Sequence, residues 1–163
     1  MLLISDANVI IDMQDGGLLE AMFQLNETFA VPDILYAEEL EQQQPQLPRL
    51  GLQIKSLSGE SIARAMDLKQ HYAGPSSNDL FALELARECE CPLLTGDMAL
   101  RRAAESEGVE LRGTLWLVEQ LVQQRIITLA VARDAYQKMR DAGSRLPWGE
   151  VDRQIKRLGK AHS

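Results

Sequence analysis

Five short apolar runs, most of them followed by a stretch of helical spacing, constrain this chain more than any other feature of its sequence. The runs are Leu2–Ser5, Thr28–Val31, Leu52–Lys55, Pro92–Thr95 and Val109–Arg112. Pro32 opens a helix after the second run, at a position where its missing N–H costs nothing. That helix passes Ile34, Leu35 and Leu40 before the breakers Pro45 and Pro48. Ser58 is placed to cap the next, where Ile62, Ala65, Met66 and Lys69 recur at three- or four-residue spacing. Ser76-Ser77-Asn78 starts another, lined by Leu80, Leu83 and Ala86, and Leu100, Ala103 and Ala104 mark one that ends near Gly108. Strands alternating with helices of this length build right-handed βαβ units, so the sheet is expected to be mostly parallel and covered on both faces.

The remainder reads as helix. Leu115–Gln124 is one segment; Thr128 caps a second through Leu129, Ala132, Tyr136 and Met139, with Gly143 where a C′ glycine belongs. Pro147–Leu158 is a third. No repeat or linker separates these helices from the sheet, so they are expected to pack on it. The 163 residues suit one domain, and 45% apolar residues suffice for its core. No apolar run approaches the roughly 20 residues that span a bilayer, and the apolar start meets Asp6 without a basic flank. A soluble, cytoplasmic protein is expected. Cys89 and Cys91 give no disulfide framework and, with only His71 and His162 as further soft ligands, no closed zinc site. Both thiols are expected to pack near a helix-to-strand turn. A net charge of −7 argues against nucleic-acid binding by charge alone.

The placement of the acids is more informative than their number. In an open parallel sheet, ligands bind beyond the carboxyl ends of the strands. Asp6 follows the first run directly, and Asp97 follows the fourth with only Gly96 between. Asp79 opens a helix before the fourth run, and Glu38 lies in the helix after the second. Two such charges about 4 Å apart repel by roughly 4 kcal/mol at an effective dielectric near 20. Carboxylates converging there either stay apart or share a hard cation, and Mg²⁺ or Mn²⁺ suits all-oxygen ligands. Taken singly, each Asp reads as a helix cap, and Asn8 as a turn cap. Glu39 competes with Glu38, and one of the two is expected to be merely solvated. Glu41 and Glu84 read as exposed helix acids.

These features together resemble the PIN-domain family of metal-dependent nucleases, which includes the toxins of VapC-type toxin–antitoxin pairs. The resemblance rests on Leu3-Ile4-Ser5-Asp6-Ala7-Asn8; on Val31-Pro32 with Glu38 six residues past the proline; on the helix opening at Asp79; and on Pro92-Leu93-Leu94-Thr95-Gly96-Asp97, eighteen residues beyond Asp79. It covers residues 1–117, which would form the nuclease domain, with 118–163 a helical extension packed on it. Arg112-Gly113-Thr114-Leu115 resembles a bacterial and archaeal subgroup with extra C-terminal helices. The resemblance implies a three-layer α/β/α sandwich, about five strands ordered 3-2-1-4-5, frequent homodimers, and an endoribonuclease dependent on Mg²⁺ or Mn²⁺. By the same resemblance Asp6, Asp79 and Asp97 hold metal, Glu38 joins directly or through water, and Asn8 orients Asp6 or a water. Water would attack phosphorus in line, leaving a 3′-hydroxyl and a 5′-phosphate. Where many members carry a further acid after the fourth motif, this chain has Met98, Ala99, Leu100 and Arg101, which leaves a second metal open.

Arg101 and Arg102, following Asp97, are placed to touch RNA phosphates. The tail carries Arg145, Arg153, Lys156, Arg157 and Lys160, for which a solvated helix face is the plainer reading, and Trp116 and Trp148 are expected to pack rather than stack on bases. Two other readings stay open. A haloacid-dehalogenase-like phosphatase needs a second Asp where Asn8 stands. A non-catalytic PIN-like module that binds RNA or protein fits the acidic net charge but gives no reason for mutually repelling carboxylates.

Overall fold

The computed structural model describes residues 1–161; positions 162–163, including His162, lie outside the described residues. Five parallel strands form one sheet in the order β3-β2-β1-β4-β5: β1 is Leu2–Ser5, β2 Thr28–Pro32, β3 Gln53–Lys55, β4 Leu93–Leu94 and β5 Leu111–Arg112. The helices are α1 Ala7–Asp15, α2 Leu19–Met22, α3 Asp33–Leu35, α4 Leu47–Leu50, α5 Gly59–His71, α6 Ser77–Glu88, α7 Met98–Ser106, α8 Thr114–Gln123, α9 Leu129–Asp141 and α10 Trp148–Ala161. This is the expected three-layer α/β/α sandwich.

Central β1 is buried on both faces, as a parallel strand between helical layers must be; Leu3 and Ile4 are wholly inaccessible. β4 and β5 are shorter than their apolar runs, yet pairing continues past the assigned ends. Ile4 N–H donates to the Pro92 carbonyl at 3.1 Å, and Thr95 N–H to the Arg112 carbonyl at 3.0 Å. The chain leaves β1 toward β2 on one side and later returns as β4 on the other. The order therefore reverses at β1, which opens a crevice between β1 and β4 at their carboxyl ends.

Three expectations need correction. The helix after β2 is not one continuous α-helix: α3 runs into a π-helical turn, Tyr36–Leu40, closed by Glu41 N–H on the Tyr36 carbonyl at 2.8 Å. Met66 lies off the buried face of α5, at 63% exposure. Glu84 is not an exposed acid. It is fully buried in α6, where Arg64 from α5 approaches to 3.3 Å and Arg87 to 3.4 Å. A buried charge without partners would be costly, and these two guanidinium groups supply them.

The late helices are tied to the sheet layer. Met139 of α9 lies against Gly16 at the end of α1, where a Cβ would sit 2.6 Å from the Met139 Cε and 3.2 Å from the Ala135 carbonyl oxygen, so a side chain there would force the methionine to shift. Gln154 of α10 donates to the Leu115 carbonyl at 2.7 Å and accepts from the Tyr136 hydroxyl. Cys89 and Cys91 are half-buried against the core at the α6–β4 turn. Trp116 and Trp148 are half-buried under Arg112 and Arg140. Among the described residues no helix is long and apolar enough to cross a membrane.

Candidate active site

Three helix N-termini bring the expected aspartates to this end of the sheet. Asp6 ends β1 and caps α1, its Oδ1 accepting from Val9 N–H at 2.9 Å. Asp97 caps α7, its Oδ2 accepting from Leu100 N–H at 2.9 Å. Asp79 closes a capping box on α6: Ser76 Oγ accepts from Asp79 N–H at 3.1 Å, and Asp79 Oδ2 accepts from Ser76 N–H at 3.0 Å. Each aspartate spends one oxygen on the helix and keeps the other. Among the described residues, no Lys or Arg forms an ion pair with Asp6, Glu38, Asp79 or Asp97.

Asp6 carries the strongest electrostatic signature. It is fully buried, and its Oδ2 has no hydrogen-bond partner. Burial pushes its pKa from 3.8 up to about 7, against the lowering effect of hydrogen bonds from Thr95 and Val9; the charges of Asp79 and Asp12 push the same way as burial. Thr95 also fixes the Asp97 backbone, its Oγ1 accepting from Asp97 N–H at 3.1 Å.

The π-turn brings the acids after β2 to α6. Asn78 Nδ2 donates to Glu38 Oε2 at 2.8 Å. Glu39 is exposed, as Glu38 is, and its pKa is raised by partial burial, countered by Asn78, with the charges of Asp79 and Glu38 adding to the rise. A turn with one extra residue is a common device for redirecting side chains at functional sites. Asn8 is exposed on the first turn of α1 and, with Asp97, lines a cleft of about 570 Å³. Arg101 and Arg102 are exposed on α7 and do not line it.

The cleft contains residues that the sequence pattern did not single out. Asp12 and Asp15 of α1 line it, and so do Ser144 and Arg145 from the connector between α9 and α10. Burial raises the pKa of Asp12, a hydrogen bond from Ser144 at 2.9 Å opposes the rise, and Asp15 adds to it. The one available signal was periodic: Asn8, Ile11, Asp12 and Asp15 share a face of α1 by three- and four-residue spacing.

Among the described residues, no three of the acids, histidines or cysteines lie close enough together to form a ready metal-binding group. The acids share one end of the sheet without closing around a single point. Such a set still fits one kind of ion. Mg²⁺ keeps several of its waters and takes only one or two protein carboxylates. The buried, unpartnered Asp6 Oδ2 and the all-oxygen donors suit a hydrated hard cation and no soft metal.

The sequence profile of the DUF3368 family, PIN domain, matches residues 2–160, from β1 into α10. The chain belongs to the PIN-domain family, a family of nucleases. A comparison with curated proteins gives no match. Among solved structures, the chain is similar to a PilT N-terminus domain protein from the archaeon Sulfolobus solfataricus P2, with a TM-score of 0.49 and 12% identity over 76% of this chain and 92% of that one. It is also similar to a chain of VapBC2 from Rickettsia felis, a structure bound to a DNA fragment from its promoter, with a TM-score of 0.49 and 17% identity over 69% of this chain and 98% of that one.

Proposed function

We propose that this chain is a divalent-metal-dependent endoribonuclease, with residues 1–117 as its nuclease domain and 118–163 as a helical extension that completes the cleft. The observation that carries the reading is Asp6: a buried carboxylate with one unpartnered oxygen, beside other acids and paired with no cation of the protein. A nuclease has a use for this arrangement, because a cation recruited there would face a phosphodiester.

Asp6 and Asp97, with Asp79 and Glu38 directly or through water, would hold Mg²⁺ or Mn²⁺. When bound, the cation supplies polarisation of the phosphate oxygens and a lowered pKa for water. The chain's own groups do the rest. Thr95 holds the backbone at the start of α7, its Oγ1 accepting from Asp97 N–H. The N-termini of α1 and α7 stabilise the ionised caps and attract a phosphate. Asn8, exposed beside Asp97 in the cleft, offers an amide to orient Asp6 or a water. Resemblance to VapC-type chains extends the reading to a cytoplasmic toxin, restrained by an antitoxin protein and paired as a homodimer.

The absence of a closed three-acid group among the described residues favours the competing reading, a non-catalytic module that binds RNA or protein. One experiment separates them. Asp97→Asn should abolish cleavage of single-stranded RNA in Mn²⁺ while circular dichroism shows the fold retained. Outer-shell partners of a metal are worth roughly 10- to 100-fold, so removing a ligand should cost more than about 100-fold. Unchanged cleavage, or no cleavage by the wild type in Mg²⁺ or Mn²⁺, would return the chain to the binding-module reading.

A further inference from the structure

We propose that the connector between α9 and α10, residues 142–147, forms the second wall of the substrate groove, and that its Arg145 grips a backbone phosphate of the RNA strand beside Asp97. The inference rests on the nuclease reading for the identity of the strand; its own evidence is the shape and charge of the cleft. The cleft is lined by Asn8, Asp12 and Asp15 of α1, by Asp97, and by Ser144 and Arg145 of the connector.

The electrostatics of this cleft are lopsided. Asp12, Asp15 and Asp97 line it, and they repel a polyanion. Arg145 is the only cationic side chain among its lining residues, and it makes no ion pair or hydrogen bond within the described residues. Its fork of donors is therefore available to a ligand, and the planar guanidinium matches a phosphate in two-point fashion.

The connector is also held in place before any ligand arrives. Gly143 N–H donates to the Arg140 carbonyl at 3.0 Å, and Ser144 N–H to the Met139 carbonyl at 2.9 Å. Ser144 Oγ donates to Asp12 Oδ1 at 2.9 Å, latching the connector to α1. On the far side of Arg145, the Pro147 carbonyl accepts from Val151 N–H at 3.0 Å, and Leu146 and Trp148 pack on the core. Backbone anchored on both sides of an unpaired arginine reduces the ordering cost of binding. Arg101 and Arg102 have no comparable position, since neither lines the cleft.

The test measures binding of a short fluorescein-labelled single-stranded RNA by anisotropy, with Ca²⁺ replacing Mg²⁺ to limit cleavage, from about 50 to about 200 mM salt. Arg145→Gln should weaken binding about tenfold, as expected for one charge-assisted contact, and lower the log K against log salt slope by about 0.7. Arg145→Lys should keep the slope and recover part of the affinity. Arg49→Gln carries the same charge change on α4, before β3 and so at the opposite end of the sheet, and should bind as the wild type does. In cleavage assays Arg145→Gln should raise KM and leave kcat nearly unchanged. An Arg145→Gln protein with wild-type affinity and salt slope overturns the assignment. So does an equal loss in Arg49→Gln, or a wild type that does not bind the strand. A wild type that binds through Arg145 but never cleaves supports the groove and removes the nuclease reading instead.

Discussion

Replacing Asp6 with asparagine should stabilise the metal-free protein at neutral pH, although it removes the residue on which the proposed activity most depends. In the folded chain burial lifts the Asp6 carboxyl from 3.8 to about 7. Between those values the unfolded chain has released this proton and the folded chain still holds it. Stability therefore falls as pH rises through the window, and levels off above about 7. A displacement from 3.8 to about 7 corresponds to about 4 kcal/mol of stability lost at alkaline pH. The Asp6→Asn variant would escape that loss and keep the cap, because the amide oxygen can accept from Val9 N–H as Asp6 Oδ1 does. The amide nitrogen would occupy the place of the unpartnered Oδ2, where leaving a polar group unsatisfied costs roughly 1–3 kcal/mol. The net gain at pH 8 is about 1–3 kcal/mol, or a melting temperature higher by several degrees, at about 2–4 °C per kcal/mol for a chain of this size.

Urea denaturation of both proteins in EDTA, at pH 4 and at pH 8, measures the effect. The variant should be the less stable of the two at pH 4, where its unsatisfied amide is not yet offset, and the more stable at pH 8. Excess Mn²⁺ should reverse the order at pH 8, stabilising the wild type and barely affecting the variant. If Asp6→Asn is the less stable protein at pH 8 in EDTA, the ionised carboxylate has a compensating partner, and the electrostatic argument for a recruited cation collapses.

Other expectations follow from individual contacts. Glu84→Ala should cost about 2 kcal/mol in urea titration, less than a fully buried pair would, because Arg64 and Arg87 are 44% and 33% exposed and can rehydrate; a change within about 0.5 kcal/mol would show the ion pairs to be incidental. Gly143→Ala should lower stability by about 1 kcal/mol, because φ is +91° there while nothing crowds the new methyl. The same variant should weaken RNA binding if the connector is the groove wall; an unchanged melting temperature would contradict the backbone argument.

What the sequence made legible was local. Asp6 was readable because an apolar strand stops at an acid, and Ser58 and Thr128 were readable as caps because the hydroxyl and the N–H it binds lie three residues apart. The parallel sheet followed from the right-handedness of βαβ units, whereas the strand order came from the resemblance alone. Glu84 was misread because helical periodicity assumes one wet face. α6 lies between the sheet and α5, so residues on several of its sides are buried, and the Arg64 that meets Glu84 comes from twenty positions away in sequence. The cleft was hidden for the same reason. Its latch joins Asp12 to Ser144 across 132 positions, and no local pattern announces such a pair. The π-turn at Tyr36–Leu40 left no mark either, since its apolar spacing is also compatible with an ordinary helix.

For an aspartate at the start of a helix, the structural and the catalytic explanation are usually set against each other. Here they concern different oxygens of the same carboxylates. Asp6 and Asp97 each satisfy an N–H of the helix they begin and retain a second oxygen. Capping alone does not explain the choice of residue at position 6. Elsewhere this chain caps helices with Ser58, Ser76 and Thr128, whose hydroxyls need no counter-charge. At a fully buried cap, serine, threonine or asparagine would hold the helix without the several kcal/mol that burying a carboxylate costs. An aspartate there makes physical sense when the charge itself is needed, and a bound divalent cation is the partner that would turn that destabilising charge into an attractive one.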